Sequence, residues 1–406
     1  MAQLNRKTLI TTAVTAMLLA TGAQAQVSDD VVRIGVMADM TGPYAGNGGP
    51  GSTLAVRMAV EDFGGKVLGK PIEVLVADDQ NKPDVGTNIA RQWLEQQKVD
   101  AIVGGSASSI ALSVSNMMKT AKKPYLIAGT VASDLTGKAC SPMNIQFAVD
   151  TYSMPKAGVQ SLMGQGIKTF YFIAVDYAFG AAFQAEATKF IEAAGGKVVG
   201  SVKHPLGTTD FSSYLMQAQA SKAQAIVLLN AGLDQTNALK QAAEFRIARN
   251  GQAVSVFGMT INAVHAMGLE VAQGLQFTDP MYWDHTNETR AWAKRFMERN
   301  NGVAPTYIMA SAYSATMHYL KSVQAANGDD GTAVMAKMKA TPINDFSMKN
   351  VRIREDGQTM RPVYAAQVKT QSESKGKYDY YIIKGEVPAE QVFRPIAEGG
   401  CDFVKK

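Results

Sequence analysis

Cysteine and histidine are scarce in this chain, which has two cysteines and four histidines in 406 residues. Cys140 and Cys401 form no Cys-x-x-Cys pair, so the usual zinc and dithiol motifs are excluded. The histidines are scattered along the chain and form no cluster that would ligate a metal. We therefore expect neither a metal site nor a cofactor.

Long apolar runs are missing as well. After residue 26 no stretch approaches the ~20 apolar residues that a transmembrane helix needs. The chain also has no Gly-x-x-x-x-Gly-Lys-Ser/Thr loop, so it lacks the phosphate cradle of P-loop nucleotide-binding proteins. The sequence thus points away from membrane spans and from nucleotide chemistry.

Residues 1–25 have the features of a secretory signal peptide. Arg6 and Lys7 supply the positive start, residues 9–20 form an apolar run too short to span a bilayer, and Ala23-Gln-Ala25 is a small-residue cleavage site. We expect cleavage after Ala25 and export of a soluble protein to the periplasm. No cysteine follows the cleavage site, which argues against a lipid anchor.

The charge balance is close to even, with 40 basic and 35 acidic residues and a net charge of +5. Loss of Arg6 and Lys7 with the signal peptide leaves +3. This excess is too small to predict nucleic acid or a membrane surface as a partner. In an oxidising compartment, Cys140 and Cys401 are most simply interpreted as one disulfide that ties back the C-terminal tail, with two free thiols as the alternative.

The mature chain is too long for a single core. Removal of 25 residues from 406 leaves 381, and single cores stop growing at ~250–300 residues. Short β-branched runs alternate with helical segments, which is typical of parallel sheets covered on both faces. The predicted strands are 31–37, 72–77, 101–103 and 124–128, then 169–174, 198–202, 225–229 and 254–257. The predicted helices are 51–63, 84–96 and 108–120, then 153–164, 179–194, 211–221 and 234–245. The repeated pattern predicts an α/β fold with two Rossmann-like lobes.

Beyond Gly274 the pattern changes. It predicts a strand at 274–278, helices at 289–300, 308–326 and 331–340, and antiparallel strands at 351–354, 363–369 and 378–383. If the late helices return to the first lobe, the chain crosses between lobes near 148–151, 278–282 and 342–347. Lobe 1 is then 26–149 plus 279–344, and lobe 2 is 150–278 plus 345–406. Three crossings form a hinge that permits closure around a small ligand.

The stretch Ala101-Ile-Val-Gly-Gly-Ser-Ala-Ser-Ser-Ile110 predicts a strand, a sharp turn and the start of a helix. Two glycines allow the turn, and Ser106, Ser108 and Ser109 bring hydroxyl groups to the helix N-terminus. Unpaired N–H groups and the positive end of the helix dipole favour an anion there, such as a carboxylate. The alternative interpretation is that one serine only caps the helix.

Ligands bind beyond the carboxyl ends of the strands in open parallel sheets. This rule selects the loops 41–48, 104–109 and 129–130 in lobe 1, and 176–180, 230–234 and 258–261 in lobe 2. Hydroxyl groups dominate the first set, and aromatic and apolar side chains dominate the second. The candidate ligand-binding residues are Tyr44, Ser106, Ser108, Ser109, Gly129, Thr130, Tyr152, Tyr177, Phe179, Asn230 and Thr260. Tyr152 and Asn230 could equally be a helix-start residue and a strand-end residue.

From residue 31 to about 406, the chain resembles the type I periplasmic solute-binding proteins of the branched-chain-amino-acid importer cluster, the capture components of ABC transporters. The resemblance rests on the order and spacing of several motifs: Arg33-Ile-Gly-Val, Thr41-Gly, Gly104-Gly-Ser-Ala-Ser-Ser, Asp176-Tyr-Ala-Phe-Gly, Asn230-Ala-Gly-Leu-Asp, Tyr282-Trp-Asp-His and Arg290-Ala-Trp. Arg354-Glu-Asp-Gly and the segment 373–381 resemble a branch whose members often take aromatic or other organic acids. The resemblance implies a monomer that delivers an organic acid or an amino acid to an inner-membrane permease.

The resemblance also implies roles for particular residues. Family members hold the ligand carboxylate with a serine that matches Ser108 and with groups that match Gly129 and Thr130 or Val131, and an aromatic side chain that covers the ligand matches Phe179. Amino-acid binders seat the ammonium group against a glutamate, where this chain has Thr260. An ammonium closed into an apolar cleft without an anionic partner loses several kcal/mol, so Thr260 argues against an α-amino acid.

Three alternatives remain open at this point. Asp150 or Asp176 could supply the missing charge, which keeps an amino-acid ligand possible. A sensory protein that presents its ligand to a membrane receptor would have the same sequence features. A serine hydrolase is a third reading because residues 104–108 resemble the Gly-x-Ser-x-Gly elbow, but the fifth position is Ser108 and no histidine stands in a suitable place. We therefore expect a binding protein and not an enzyme.

Overall fold

The computed structural model describes residues 27–404, so the predicted signal peptide and its cleavage site lie outside the described residues. Six strands form the first sheet, in the order β2-β3-β1-β4-β5-β6. They are β1 Val32–Ala38, β2 Lys66–Val67, β3 Lys70–Asp78, β4 Ala101–Gly104, β5 Tyr125–Ile127 and β6 Asn144–Gln146. All neighbours pair in parallel except β2 and β3, which are antiparallel. The helices in this part are α1 Gly49–Phe63, α2 Pro83–Glu95 and α3 Ser108–Ala121.

Four parallel strands form the second sheet, in the order β10-β9-β7-β8. They are β7 Thr169–Val175, β8 Lys197–His204, β9 Ala225–Leu229 and β10 Ala253–Val256. The central strand β9 is buried along its whole length, as expected for an apolar run covered by helices on both faces. The helices here are α4 Ser153–Gly164, α5 Ala178–Ala193, α6 Ser212–Ala220, α7 Gly232–Glu244, α8 Ile261–Met267 and α9 Leu269–Ala272.

The late part of the chain adds four helices and an antiparallel sheet. The sheet has the order β11-β12-β13, with β11 Gln276–Asp279, β12 Val363–Val368 and β13 Tyr381–Val387. The helices are α10 Asn287–Arg299, α11 Tyr307–Ala326, α12 Gly331–Ala340 and the short α13 Ala389–Val392. Helix α11 packs against α1 and α12, and 15 of its 20 residues are buried. The late helix α11 therefore covers the first sheet, although it follows the second sheet in sequence.

Every predicted helix is present, and the predicted strands are confirmed except at 351–354. That segment forms only isolated bridges, Ile343 with Val351 and Ile353 with Thr359, because its partners are single residues of irregular loops. Two strands that the sequence did not predict, β2 and β6, have two and three residues, too few for a clear alternation of apolar and polar side chains.

A disulfide joins Cys140 to Cys401, with 5.6 Å between their Cα atoms. Both cysteines are buried, and the bridge spans 261 residues of sequence. The C-terminal tail is also held by Arg394, whose guanidinium donates to the carbonyl of Ser133. The predicted disulfide is confirmed, and it fixes the end of the chain beside the first sheet.

Candidate functional site

A cavity of about 90 Å³ lies where the carboxyl ends of the two parallel sheets face each other. Its walls come from loops after β1, β4, β5, β7, β9 and β10, and from the N-terminal turns of α1 and α11. Polar side chains and backbone groups that line it include Tyr44, Asn47, Ser52, Ser106, Ser108, Gly129, Thr130, Tyr177, Asn230, Gln235, Thr260, Thr278 and Tyr307. Apolar side chains that line it include Met37, Val131, Val149, Met154, Phe179, Phe183, Met259 and Ile308.

Three glycines shape the first wall. Gly104 and Gly105 have φ values of 122° and 91°, in the left-handed region that side chains disfavour. A Cβ on Gly104 would lie 2.1 Å from the carbonyl oxygen of Met37, and one on Gly129 would lie 2.7 Å from the carbonyl oxygen of Gly105. The loops after β1, β4 and β5 can approach one another closely only because these positions lack side chains.

The first turn of α3 presents its backbone to this wall. The residue before the helix is Ala107, which makes no side-chain cap. The alternative interpretation, in which one serine only caps α3, is therefore wrong. The hydroxyl of Ser106 instead accepts a hydrogen bond from the backbone N–H of Asp39. The first N–H groups of α3, together with the positive end of its dipole, favour an anion at this point.

Ser108 and Thr130 form the polar centre of the first wall. Both are almost fully buried, and the hydroxyl of Thr130 donates to that of Ser108 across 3.4 Å, a long contact. This distance leaves both hydroxyl groups with capacity for a shorter bond to a ligand oxygen. The pair therefore suits a carboxylate that receives O–H and N–H donors from two adjacent loops.

The loop after β1 is held in place by a buried carboxylate. Asp39 accepts hydrogen bonds from the backbone N–H groups of Gly42 at 2.6 Å and Tyr44 at 2.9 Å. The hydroxyl of Tyr44 lies 2.9 Å from that of Tyr177, which follows β7 on the opposite wall. Burial raises the pKa of both tyrosines, so both hydroxyl groups stay protonated at neutral pH.

The second wall is mainly aromatic. Phe179 and Phe183, on successive turns of α5, have ring centres 5.1 Å apart, and Phe183 contacts Phe257 at 5.9 Å. Gly258 brings the chain close to α4, since a Cβ there would lie 1.9 Å from the terminal methyl of Met154. Such a wall can bury the apolar body of a ligand at ~25 cal/mol per Å² of apolar surface.

Asn230 and Gln235 supply the polar groups of the second wall. The side-chain N–H₂ of Gln235 donates to the backbone carbonyls of Asn230 at 3.0 Å and Gly258 at 3.1 Å. The amide nitrogen of Asn230 lies 3.1 Å from Nε2 of His204, which is fully buried behind the wall. These bonds tie the strand ends of β9 and β10 to α7.

Among residues 27–404, no charged side chain lines the cavity. The carboxylate of Asp150 accepts from the backbone N–H groups of Tyr152 and Ser153 at the start of α4, and that of Asp176 makes an exposed ion pair with Lys203. The amino-acid alternative required one of these acids to face the ligand, but neither Asp150 nor Asp176 lines the cavity. The structure therefore does not support the alternative in which one of them faces a ligand ammonium group.

Nine of the eleven candidate residues line the cavity, and Ser109 and Tyr152 do not. Ser109 lies in the first turn of α3 beyond the wall, and its carbonyl accepts from the hydroxyl of Ser113. The ring of Tyr152 packs edge-on against Phe190 at 5.0 Å, beneath the guanidinium of Arg394 at 5.2 Å. Its position before α4 turns it toward α5, so it is a packing residue.

The sequence did not predict the contributions of Gln235, Tyr307 and Ile308. Gln235 lies inside a helical pattern, where the sequence gives no indication of which face meets the cavity. Tyr307 and Ile308 follow the Thr306 cap at the start of α11. The predicted return of that helix to the first lobe was the only available signal, and it does not determine which turn reaches the site.

The comparisons with known proteins agree with this arrangement of two sheets around one cavity. The sequence profile of the periplasmic binding protein family matches residues 31–377. The chain belongs to this family. A crystal structure of a periplasmic binding protein from Burkholderia mallei is 43% identical, with a TM-score of 0.90 over 93% of this chain and 100% of that one. This shows the type I periplasmic binding protein fold.

Other relatives carry different ligand names. A branched-chain amino acid ABC transporter periplasmic ligand-binding protein from Burkholderia xenovorans is 37% identical, with a TM-score of 0.80 over 91% of this chain and 99% of that one. The curated Leu/Ile/Val-binding protein homolog 6 of Brucella abortus is 26% identical over 53% of this chain and 54% of its own length. The chain thus spans about half the length of that relative.

A solute-binding protein from R. palustris in complex with benzoate is 18% identical over 92% of this chain and all of that one, and its TM-score of 0.79 shows the shared fold alone.

This periplasmic binding protein has no helix within residues 27–404 that is both long and apolar enough to cross a membrane. The same residues contain no group of three or more histidine, cysteine or acidic side chains that could hold a metal ion. The candidate ligand site is therefore the cavity between the two parallel sheets, whose lining consists of neutral groups.

Proposed function

We propose that this protein captures a small organic acid in the cavity between its two parallel sheets and delivers it to the permease of an ABC importer. The observation that carries the proposal is the contrast between the walls. One wall offers Ser108, Thr130 and the N-terminal turn of α3, and the other offers Phe179 and Phe183. Such a site binds an anionic head at one end and an apolar body at the other.

The neutral lining favours an acid over an α-amino acid. An amino acid brings an ammonium group that needs a carboxylate partner when water is excluded, whereas the lining among residues 27–404 has none. A carboxylate has no such need, because N–H and O–H donors and a helix N-terminus compensate its charge. Branched-chain amino acids remain the second candidate, because the relatives from Burkholderia xenovorans and Brucella abortus carry that name.

The cavity limits the size of the acid in this conformation. Its volume of about 90 Å³ is smaller than the ~150 Å³ of an engineered cavity that admits benzene. A larger acid, such as an aromatic one, would require the walls to move apart. We propose that they do so as two lobes, 26–149 plus 279–344 and 150–278 plus 345–406, hinged near 148–151, 278–282 and 342–347.

The remaining parts of the proposal follow from the family. We propose a periplasmic location, with the signal peptide removed after Ala25, and an inner-membrane permease as the partner of a monomeric protein. A sensory receptor is the alternative partner. We also propose that the bound acid is released unchanged, because the cavity lining among residues 27–404 includes no histidine or acid that could activate Ser106 or Ser108.

A thermal-shift screen of the mature protein, residues 26–406, tests the proposal. Butyrate, benzoate, their uncharged amides, leucine and valine are added singly at a fixed ionic strength. A ligand at 100 times its Kd adds about 2.7 kcal/mol of stability, which raises the Tm. We expect an acid to raise the Tm and its amide to have a much smaller effect. Stabilisation by leucine or valine, with no response to any acid, would favour the amino-acid candidate instead.

A further inference from the structure

Asp39 connects the first wall of the cavity to the loop that follows β1. The residue is 1% exposed and does not itself line the cavity. Its backbone N–H donates to the hydroxyl of Ser106, which belongs to the lining of the first wall. Its carboxylate accepts the backbone N–H groups of Gly42 and Tyr44 through two different oxygen atoms, Oδ1 and Oδ2. One buried residue thus holds a serine of the lining and the neighbouring loop together.

The loop of residues 42–47 makes four hydrogen bonds with the second wall. Each bond joins a loop residue to a residue that follows β7, β9 or β10, over 2.9–3.2 Å: Tyr44 with Tyr177, Pro43 with Leu233, Asn47 with Thr260 and Gly46 with Asn262. Gly232 permits this close approach, because a Cβ there would lie 2.4 Å from the carbonyl oxygen of Pro43. The loop therefore closes the cavity by direct contact between the walls.

The geometry of these bonds requires a carboxylate at position 39. Two N–H donors point at two separate oxygen atoms, at 2.6 and 2.9 Å, so both atoms must be acceptors. A neutral amide would offer one acceptor and would oppose its own N–H₂ to the other donor. Gly42 is part of the same fit, because a Cβ there would lie 2.6 Å from Oδ1 of Asp39. The loop conformation thus depends on one charged side chain and on one position that has no side chain.

The other end of the loop is anchored on the same side of the cavity. Thr306, the cap of α11, donates its hydroxyl to the backbone carbonyl of Asn47. With both ends fixed, the loop presents its contacts without having to be ordered when the walls meet. A loop that is already ordered loses less conformational entropy on binding, so closure costs less free energy.

We propose that Asp39 is a positioning residue for ligand capture, which holds loop 42–47 in the conformation that meets the second wall and so couples the first wall to closure. Asp39 does not contact the ligand and acts through the loop. This inference rests on the proposed function, because it explains how the cavity closes around a captured molecule. It applies equally to an acid and to an amino acid.

Amide hydrogen exchange of the ligand-free mature protein tests the first step. Asp39→Asn should speed exchange in a peptide that covers 42–47, because two N–H groups of the loop lose their paired acceptors. Asp78→Asn is the matched control, because Asp78 accepts the N–H of Met40 and the hydroxyl of Thr41, just before the loop. It should leave exchange within the loop unchanged. Exchange in Asp39→Asn that equals the wild-type rate would overturn the inference, whatever the ligand is.

Calorimetric titration tests the second step, with whichever of butyrate, benzoate and leucine raises the Tm most. Asp39→Asn should weaken binding roughly ten- to a hundredfold, since hydrogen bonds to a charged group are lost and the loop must be ordered during closure. Gly42→Ala should weaken binding as well, because its Cβ displaces the loop while the carboxylate stays. Gly385→Ala is the matched control for this change, since a Cβ in this part of β13 would meet no atom within 4 Å.

A double-mutant cycle separates positioning from general damage. Tyr177→Phe alone removes one bond between the loop and the second wall, at the hydroxyl of Tyr44. If Asp39 acts by placing the loop, Tyr177→Phe should have little effect on affinity in the Asp39→Asn background. Independent effects, which multiply in the double variant, would contradict the inference even where Asp39→Asn alone lowers both the affinity and the Tm.

The outcomes separate this inference from the proposed function. If an acid binds equally well to Asp39→Asn and to the wild type, the coupling role is wrong and acid capture stands. If leucine binds and no acid does, acid capture is wrong, and titration of the same variants with leucine still decides the role of Asp39. If none of the three binds, the proposed function fails, and exchange in the ligand-free protein decides whether Asp39 holds the loop.

Discussion

The hydroxyl groups of Tyr44 and Tyr177 lie 2.9 Å apart and join the two walls of the cavity directly. Other contacts between the walls surround this pair. The backbone N–H of Leu233 donates to the carbonyl of Pro43 at 3.1 Å, and the hydroxyl of Thr260 donates to the side chain of Asn47 at 3.2 Å. The loop after β1 thus contacts three loops of the second sheet. If the two lobes move apart as proposed, these bonds break, so they would stabilise the closed cleft against an open one.

Tyr177→Phe should weaken ligand binding by about 0.5–1.5 kcal/mol, or roughly two- to tenfold, because one neutral hydrogen bond across the cleft is lost. The ring is retained, so the apolar contacts of the wall persist. Calorimetric titration with the best acid from the screen measures the change. Tyr171→Phe, a substitution within β7 away from the cavity, is the matched control. Equal affinities of wild type and Tyr177→Phe would mean that the tyrosine pair does not contribute to closure.

The sequence predicted the fold well because the α/β pattern is local. Continuous apolar runs such as 225–229 are typical of strands buried on both faces of a parallel sheet, and helices of ten or more residues show their period clearly. The strands that it missed are short. The segment 351–354 looked like a strand because it alternates Val351 and Ile353 with arginines, yet its partners are single residues of loops.

The sequence predicted the site less completely because side-chain direction depends on tertiary packing. The rule for carboxyl ends of strands selected the correct loops, which brought Ser108, Thr130 and Phe179 to the cavity lining. It could not show that Tyr152 turns toward Phe190 of α5, since the side chain of a residue that precedes a helix can point either to the cavity or to a neighbouring helix. Nor could it indicate that His204, which does not line the cavity, contacts the side chain of Asn230 from behind the wall.

Ser108→Ala should weaken acid binding by about 1.5–3 kcal/mol, or roughly ten- to a hundredfold, because a hydrogen bond to a charged group is lost. The Tm without ligand should stay close to that of the wild type, whereas the shift on adding ligand should shrink. Ser113→Ala is the matched control, because Ser113 lies on the exposed face of the same helix. An uncharged amide that binds as tightly as its acid would place the anion site elsewhere.

Loss of the disulfide should lower the free energy of unfolding. The bridge between Cys140 and Cys401 closes a loop of 261 residues in the unfolded chain. Disulfides typically contribute 2–4 kcal/mol, and ~5 kcal/mol is an upper figure for so long a loop. The double variant Cys140→Ser/Cys401→Ser, unfolded in urea beside the wild type with and without reductant, measures the difference. A wild type whose stability is the same in both conditions would contradict this expectation.

The ionisation of Asp234 should lower the free energy of unfolding as the pH rises from about 4 to about 6. The carboxyl group is fully buried, lies 3.9 Å from Nδ1 of His204, and accepts hydrogen bonds from the backbone N–H of Gly207 at 3.1 and 3.2 Å. Burial raises the pKa of Asp234 from its ordinary value of 3.8 to about 6. Between these values the folded protein holds a proton that the unfolded chain has released. The stability that this proton provides is therefore complete below about pH 4 and lost above about pH 6.

Asp234→Asn keeps an acceptor for Gly207 and removes the ionisation. We compare the free energy of unfolding of the variant with that of the wild type at each pH. The difference between them should increase in favour of the variant by about 1–2 kcal/mol from pH 4 to pH 8, a figure reduced from the full linkage value to allow for solvent screening. Urea unfolding of both proteins at each pH gives the difference, in which the titration of His204 largely cancels. Asp210→Asn is the control, because a hydrogen bond from Ser212 lowers the pKa of Asp210 and gives a trend of the opposite sign. A difference between Asp234→Asn and the wild type that stays constant across this range would show that Asp234 ionises in the folded protein at its ordinary pKa.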